Sequence, residues 1–428
     1  MKILFCANDR PGHFATGPNA WIQRLIPVLR DKYNLDVQTL FIYKGEPQDC
    51  PTLTLFQQKK WRPHLINRDD IPYVADQVKE ILKLIKKDRF TVLVANLVIP
   101  AYYAARYLKP FNIPVIGVMH SNDKFYKGVI AKFIHGNQKN NLTHSVAVSN
   151  YIDDICKAKS RQTNLTVIPC GTPVPTIKTD YIEKSTLNVI YAGRLETEQK
   201  QILKLTEAFL KASSINPNLY FSIYGEGSMS EEVKSIISQL NVRRNVKFKG
   251  PAAPSEMLEI MSKHQVFTLM SDYEGMPVSL MEAMACGLVP VCLEESSGIN
   301  EIIEHGVNGF IVKNRGEDYQ KHLQSLQEDV ELWKRLSSNA VKTIESSYSD
   351  TKTGRQWYEL LVSFQQRQTK RVRIPNRIRL EGDLLYYGDN RKPSFITRLQ
   401  SDLKEYWMNL RLLIRPRARL RALFKNER

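Results

Sequence analysis

Residues 266–287 read Val-Phe-Thr-Leu-Met-Ser-Asp-Tyr-Glu-Gly-Met-Pro-Val-Ser-Leu-Met-Glu-Ala-Met-Ala-Cys-Gly and leave the chain few choices of fold. Residues 266–270 form a short apolar run of buried-strand length. A polar turn follows at 271–275. Pro277 is predicted at the first helical position, where its missing N–H costs nothing. Residues 278–285 continue as helix, and Gly287 suits the C′ position that ends it. The unit is strand, tight turn, helix. Backbone N–H groups around Gly275 and Met276, leading through Pro277 to Val278, make its helix start an anion seat.

Two acids frame that seat. Glu274 precedes the helix, and Glu282 lies about 8 Å along it at 1.5 Å per residue. A carboxylate accepts well from vicinal hydroxyls, so Glu282 suits a ribose and Glu274 a sugar ring. Taken alone, the two would read as a turn acid and an exposed helix acid. Their neighbours decide between the readings.

The same strand–turn–helix alternation runs through most of the chain. In the first half, residues 2–7, 35–43, 91–95, 114–119, 145–148 and 165–168 are predicted strands. Residues 19–30, 102–108, 125–136 and 150–159 are predicted helices, and nothing regular is assigned between 44 and 90. Gly12 and Gly17 sit in the first βα loop, where backbone could approach a phosphate or sugar; no G-x-G-x-x-G accompanies them. His120 follows a predicted parallel strand, at the end where open α/β sheets bind ligands. A proline-containing linker at 171–180 leads to a second series, with strands at 187–192, 220–224, 246–248, 266–270, 289–292 and 309–312. Helices at 317–326, 331–348 and 353–366 close it, the last returning across both halves.

A length of 428 residues suits two such domains plus an extension. The six cysteines have no C-x-x-C pairing and read as buried thiols. The apolar run 3–7 is too short for a signal peptide, and 92–107 is interrupted by Asn96, Pro100 and Arg106, unlike a membrane span. Net charge is +17, but residues 367–428 hold 17 Lys and Arg against 6 Asp and Glu, a net +11.

Arg194 and Lys200 fall on the first βα turn of the second half. A guanidinium fork and an ammonium there could hold a diphosphate and offset the charge that develops as it leaves. Gly225, Glu226 and Gly250 mark two further turns at the same end of the array.

Together these segments resemble the family-4 retaining glycosyltransferases of the GT-B fold. The resemblance rests on Gly193-Arg-Leu195 with Lys200, Gly225-Glu-Gly227, Val246-Lys-Phe-Lys-Gly250, Glu274-Gly-Met-Pro-Val-Ser-Leu-Met-Glu282 and Ile302-Ile-Glu-His-Gly-Val-Asn-Gly309. It covers about residues 2–366, specifically in the second half and loosely in the first. It implies two Rossmann-like domains facing a cleft: an acceptor-binding domain at 1–172, a nucleotide-sugar-binding domain at 173–350, a crossover helix at 351–366, and a basic tail at 367–428. It implies Glu274 on the donor sugar, Glu282 on the ribose, and Arg194 and Lys200 on the diphosphate. His120 would touch the sugar, and backbone at Gly275, Met276, Pro277 and Val278 would bind sugar and phosphate. Gly225 to Gly227 and the turn at 249–251 would line the base. Lys200 stands one residue later than in many members. No D-x-D element lies near the site, so no metal or other cofactor is expected.

The implied reaction moves a hexosyl-type sugar, with retention, from a nucleotide-sugar to a glycan or lipid-linked acceptor in polysaccharide or glycolipid synthesis. Two alternatives keep the cleft: a nucleotide-sugar-binding protein without turnover, and a GT-B epimerase. In the tail, Leu399, Leu403, Tyr406, Trp407, Leu410, Leu413 and Ile414 recur at near-helical spacing among basic residues, and the 125–136 segment is also basic and apolar. Both suit an anionic membrane surface. No nucleic-acid-binding motif accompanies the charge. The expected location is cytoplasmic, peripheral at the inner membrane face.

Overall fold

The computed structural model describes residues 1–12, 17–158, 164–180, 186–239, 245–294 and 297–380. The predicted amphipathic segment at 398–424 lies outside them, as does the middle of the Gly12–Gly17 loop.

The first half runs β1 (Lys2–Asp9), α1 (Gly17–Pro27), β2 (Asp36–Tyr43), α2 (Pro51–Gln58), β3 (His64–Asn67), α3 (Val74–Asp88), β4 (Val92–Ala95), α4 (Ile99–Leu108), β5 (Val115–Met119), α5 (Lys124–Phe133), β6 (His144–Ala147), α6 (Asn150–Lys157) and β7 (Leu165–Val167). Its strands pair in parallel in the order β3-β2-β1-β4-β5-β6-β7. The second half runs β8 (Leu187–Ala192), α7 (Ile202–Ile215), β9 (Leu219–Tyr224), α8 (Ser230–Gln239), β10 (Val246–Gly250), α9 (Met257–Ser262), β11 (Val266–Leu269), α10 (Val278–Ala285), β12 (Val289–Leu293), α11 (Ile299–Ile302), β13 (Phe310–Val312), α12 (Glu317–Glu328), α13 (Val330–Thr343) and α14 (Asp350–Val362). It forms a second parallel sheet, β10-β9-β8-β11-β12-β13. Each half therefore reverses strand order once, between β1 and β4 and between β8 and β11. A crevice opens at the carboxyl ends of the strands at such a point.

Runs such as Val92–Ala95, Val115–Met119 and Val289–Leu293 are buried at every residue, because helices cover both faces of a parallel sheet. The predicted helix at 19–30 is shorter: α1 closes at Pro27 and continues as one wide turn over Val28–Lys32. Pro27 has no N–H to give the α-helical ladder there. Pro277 takes the N-cap rather than the first helical position, with extended backbone, and Gly287 ends α10 at φ +88° as predicted.

Elements α2, β3 and α3 fill the stretch that the sequence reading leaves open. In α3, Val74, Val78, Ile81, Leu82 and Ile85 face the core at helical spacing.

Two chain crossings join the halves side by side. Gly171, at φ +70°, leads into Thr172, which exchanges backbone hydrogen bonds with Tyr348 and Asp350 at 2.9 Å each. From there α14 returns to the first half. Trp357 packs on Trp21 and Phe5, and Tyr358 stacks on Tyr33. Residues 367–380, the start of the basic tail, then run extended along the first half. Lys370 N–H bonds the Phe111 carbonyl at 2.9 Å, Arg379 N–H bonds the Tyr107 hydroxyl at 2.6 Å, and Lys79 donates to the Asn376 carbonyl at 2.8 Å. Val372 and Ile378 are buried beneath this strap.

Candidate active site

The carboxyl ends of the two sheets face each other, and the loops after them meet. Gly275 touches the backbone of His120, and Gly298 packs between the Gly275 carbonyl and Ser149. A β-carbon at Gly275 would fall 1.9 Å from the His120 carbonyl oxygen, so close approach of the two halves requires glycine there, while one at Gly298 would fall 2.0 Å from the Gly275 carbonyl within the second half. At one edge, Glu301 of α11 reaches across to the start of α6. It accepts from the backbone N–H of Asn150 at 2.9 Å and of Tyr151 at 2.7 Å, supplying from the second half the anion that a helix start favours. On the exposed rim, Lys124 and Glu198 face each other at 3.5 Å.

The polar centre of the second half is built at its switch point. Lys200, after β8, forms a buried ion pair with Glu274, after β11. Gln199 bridges them to Arg194: its amide oxygen accepts from Arg194 Nη2 at 2.8 Å, and its Nε2 donates to the Tyr273 carbonyl at 2.9 Å and to Glu274 at 3.3 Å. The other Arg194 nitrogen bonds Glu196, and the guanidinium is largely exposed. Two residues from the β8 turn, Gln199 and Lys200, thus bond one carboxylate, and Arg194 is linked to it through Gln199. The left-handed backbone at Gln201, φ +50°, turns the chain into α7 directly after Lys200. Among the described residues no side chain caps the N-terminus of α10, next to Glu274.

Gly225, at φ +138°, lies against the Gly193 carbonyl, so the turn after β9 packs on the turn that carries Arg194. The half-buried Glu226 belongs to the same turn, where its carbonyl accepts from Leu195 N–H at 2.9 Å. The Gly225 N–H donates to the Gly250 carbonyl at 2.9 Å, which adds the β10 turn to the group. Met276 and Pro277 are buried and Val278 half-buried at the mouth of α10. Gly12 and Gly17 are exposed at the opposite lip, in the first half.

His120 lies at the end of β5 with its backbone toward Gly275, but its ring is turned into its own half. Nε2 is 2.8 Å from Asn96 Oδ1, Nδ1 is 3.8 Å from Cys170 Sγ, and Trp21 and Tyr126 pack on the ring. Burial pushes the imidazole down to about 3, so it is neutral near pH 7.

Glu282 points across the junction and pairs with Arg24 of α1. The sequence reading does not select Arg24; its partner is 258 positions away, and nothing local marks it. Gln199 and Asn96 are likewise identified only by the neighbours the fold gives them.

Two Rossmann-like domains with facing carboxyl edges, joined by a crossover helix, are the GT-B fold. The chain superposes on the crystal structure of Anabaena Alr3699/HepE in complex with UDP-glucose with a TM-score of 0.68 at 20% identity, over 85% of this chain and all of that one. Within this frame, residues 177–343, which lie in the second domain, match the family model for glycosyl transferases group 1. Among curated relatives, the UDP-N-acetylglucosamine–peptide N-acetylglucosaminyltransferase GtfA subunit of Streptococcus pneumoniae is 27% identical over 172 residues, which is 40% of this chain and 33% of that protein. The amylovoran biosynthesis glycosyltransferase AmsK of Erwinia amylovora is 34% identical over 131 residues, 29% of this chain and 32% of that one. The aligned part of the chain spans about a third of the length of these relatives.

Proposed function

We propose that the protein is a retaining, metal-independent glycosyltransferase of the family-4 type, with a UDP-sugar as donor. The observation that carries this reading is the convergence of Arg194, Gln199, Lys200 and Glu274 beside the start of α10, at the switch point of the second sheet and facing the first domain. In the reading, a diphosphate displaces the carboxylates now neutralising Arg194 and Lys200. Its charge is met by these two cations and by the uncapped N–H groups of α10. Glu274, released from Lys200, turns to the sugar hydroxyls, and Glu282 takes the ribose. The neutral His120 orders the first-domain wall of the sugar subsite.

Bond breaking and making then share one face of the sugar. As the anomeric C–O bond to the diphosphate opens, an acceptor hydroxyl attacks from the same side. Its proton passes to the departing phosphate oxygen, and the anomeric configuration is kept. The protein contributes position and charge rather than a nucleophile. UDP is favoured as the nucleotide because HepE was crystallised with UDP-glucose and the streptococcal relative is named for UDP-N-acetylglucosamine. The relative named for amylovoran biosynthesis supports a glycan or lipid-linked acceptor over the peptide for which the streptococcal relative is named.

No helix among the described residues is long and apolar enough to cross a membrane. The basic strap and tail would hold the enzyme peripherally on an anionic, cytoplasmic membrane face. The test of the reaction is a screen of UDP-sugars that reads UDP release with membrane extract as acceptor source. It is followed by NMR of the product's anomeric centre: an α-linked product from an α-linked donor supports retention, and inversion refutes it.

A further inference from the structure

Of the two terminal nitrogens of the Arg24 guanidinium, one is engaged and one is left over. Nη2 pairs with Glu282 across the domain junction. Nη1 is buried and has no hydrogen-bond partner among the described residues. An unpaired guanidinium N–H out of water is costly, and such a group in a native site calls for a partner. The surroundings narrow what that partner is. Arg24 lies in the last turn of α1, the helix that follows the switch-point strand β1, and its charge is felt at Cys170, whose Sγ lies 3.8 Å from His120 Nδ1. Glu282 already satisfies the side of the guanidinium facing α10. The remaining donor lies at the meeting point of both domains, and its missing partner is an acceptor.

We propose that Arg24 is the first domain's contact to the donor diphosphate, with Nη2 kept on Glu282 and Nη1 donating to a phosphate oxygen. The inference rests on the nucleotide-sugar reading of the cleft and adds a residue to it. Arg24 does two things through one planar group. It fixes the carboxylate that receives the ribose, and it brings a positive charge from the opposite domain to the phosphates that Arg194 and Lys200 hold from theirs. A guanidinium can do both because its donors form a fork; a lysine ammonium at this position would keep the charge without the fixed second direction. The diphosphate then ties the two domains together.

The experiment is a double-mutant cycle on UDP affinity, by calorimetry, in wild type, R24Q, E282Q and R24Q/E282Q. Loss of a charge-assisted hydrogen bond predicts that R24Q weakens UDP about tenfold to a hundredfold, and that the loss persists in the E282Q background. R24K, which keeps the charge, is expected to lose less than R24Q and checks against a folding defect. If the R24Q effect vanishes in the E282Q background, Arg24 acts only by orienting Glu282 and the proposal is overturned. Unchanged or tighter UDP binding by R24Q also overturns it, while leaving the nucleotide-sugar reading intact. A wild-type protein that fails to bind UDP overturns both.

Discussion

Gly275 of the second domain lies so close to the His120 carbonyl of the first that a β-carbon added to it would sit 1.9 Å from that oxygen. Packed backbone cannot yield by that much locally, so the domains themselves would have to part. G275A is therefore predicted to fold, with urea stability within about 1 kcal/mol of wild type. Its kcat/KM should nevertheless fall about a hundredfold, since a displacement on the order of 1 Å in a positioned site costs that much. Steady-state kinetics beside a urea denaturation curve check it.

Lys200 and Glu274 are buried together, and each is the other's counterion. K200M leaves a buried carboxylate facing only the Gln199 amide. It is predicted to cost about 3–5 kcal/mol, as removing one partner of a buried pair does. Replacing both, in K200M/E274L, should recover most of that stability and none of the activity. Equilibrium unfolding of the three proteins measures it, and equal stability of K200M and wild type would remove the pair from the account.

Three histidines, His264 buried and His120 and His144 half-buried, contribute to the response to acid. Burial lowers His120 to about 3, and His144 and His264 to about 4. For His144 the Arg367 charge adds to the effect of burial, and for His264 a hydrogen bond to the Ile260 carbonyl opposes it. Each imidazole takes up its proton near 6.5 in the unfolded chain and only at lower pH in the folded one. The unfolded state therefore binds more protons between about pH 6.5 and pH 3–4, and stability falls as pH drops through that window. It is unaffected by these groups above it. H120Q should flatten the loss measured by thermal unfolding from pH 7 to pH 5. The activity profile should show no His120 inflection near 6.5.

The basic tail can be divided at Leu380. Residues 367–380 bury Val372 and Ile378 on the first domain, so a chain ending at Gln366 should be less stable than one ending at Leu380. Both truncations should reduce flotation with anionic vesicles. Full flotation by the chain ending at Leu380 would assign any membrane contact to the described surface, α5 among it, rather than to residues 381–428.

Much of this architecture is written locally. The stretch at 266–287 carries its own strand, turn, helix and stop, and Gly287 takes the left-handed conformation its position demands. Motifs of this kind locate the second domain because the residues proposed to hold the donor lie in the turns of one βα array. The first domain is harder to read. Its β3 is four residues long, follows Trp61-Arg-Pro63, and among the described residues is paired only with β2, so length and periodicity say little. The α3 stripe is present in the sequence but unassigned by the reading. Side-chain partners at long range are a different matter. That Gln199 bridges Arg194 to Glu274, that the His120 ring faces Asn96, and that Arg24 meets Glu282 follow from how two sheets are set against each other. No window of sequence contains both members of such pairs.

The central claim is that one diphosphate is held between the Arg194 turn and the start of α10, with Glu274 and Glu282 at either end. Turnover of a UDP-sugar by wild type, E282A and R194A, read as UDP release with circular dichroism to verify the fold, tests it most directly. The account predicts release by wild type and its loss in both folded variants. Undiminished release in either variant, or none from wild type with any UDP-sugar and membrane extract, would contradict it.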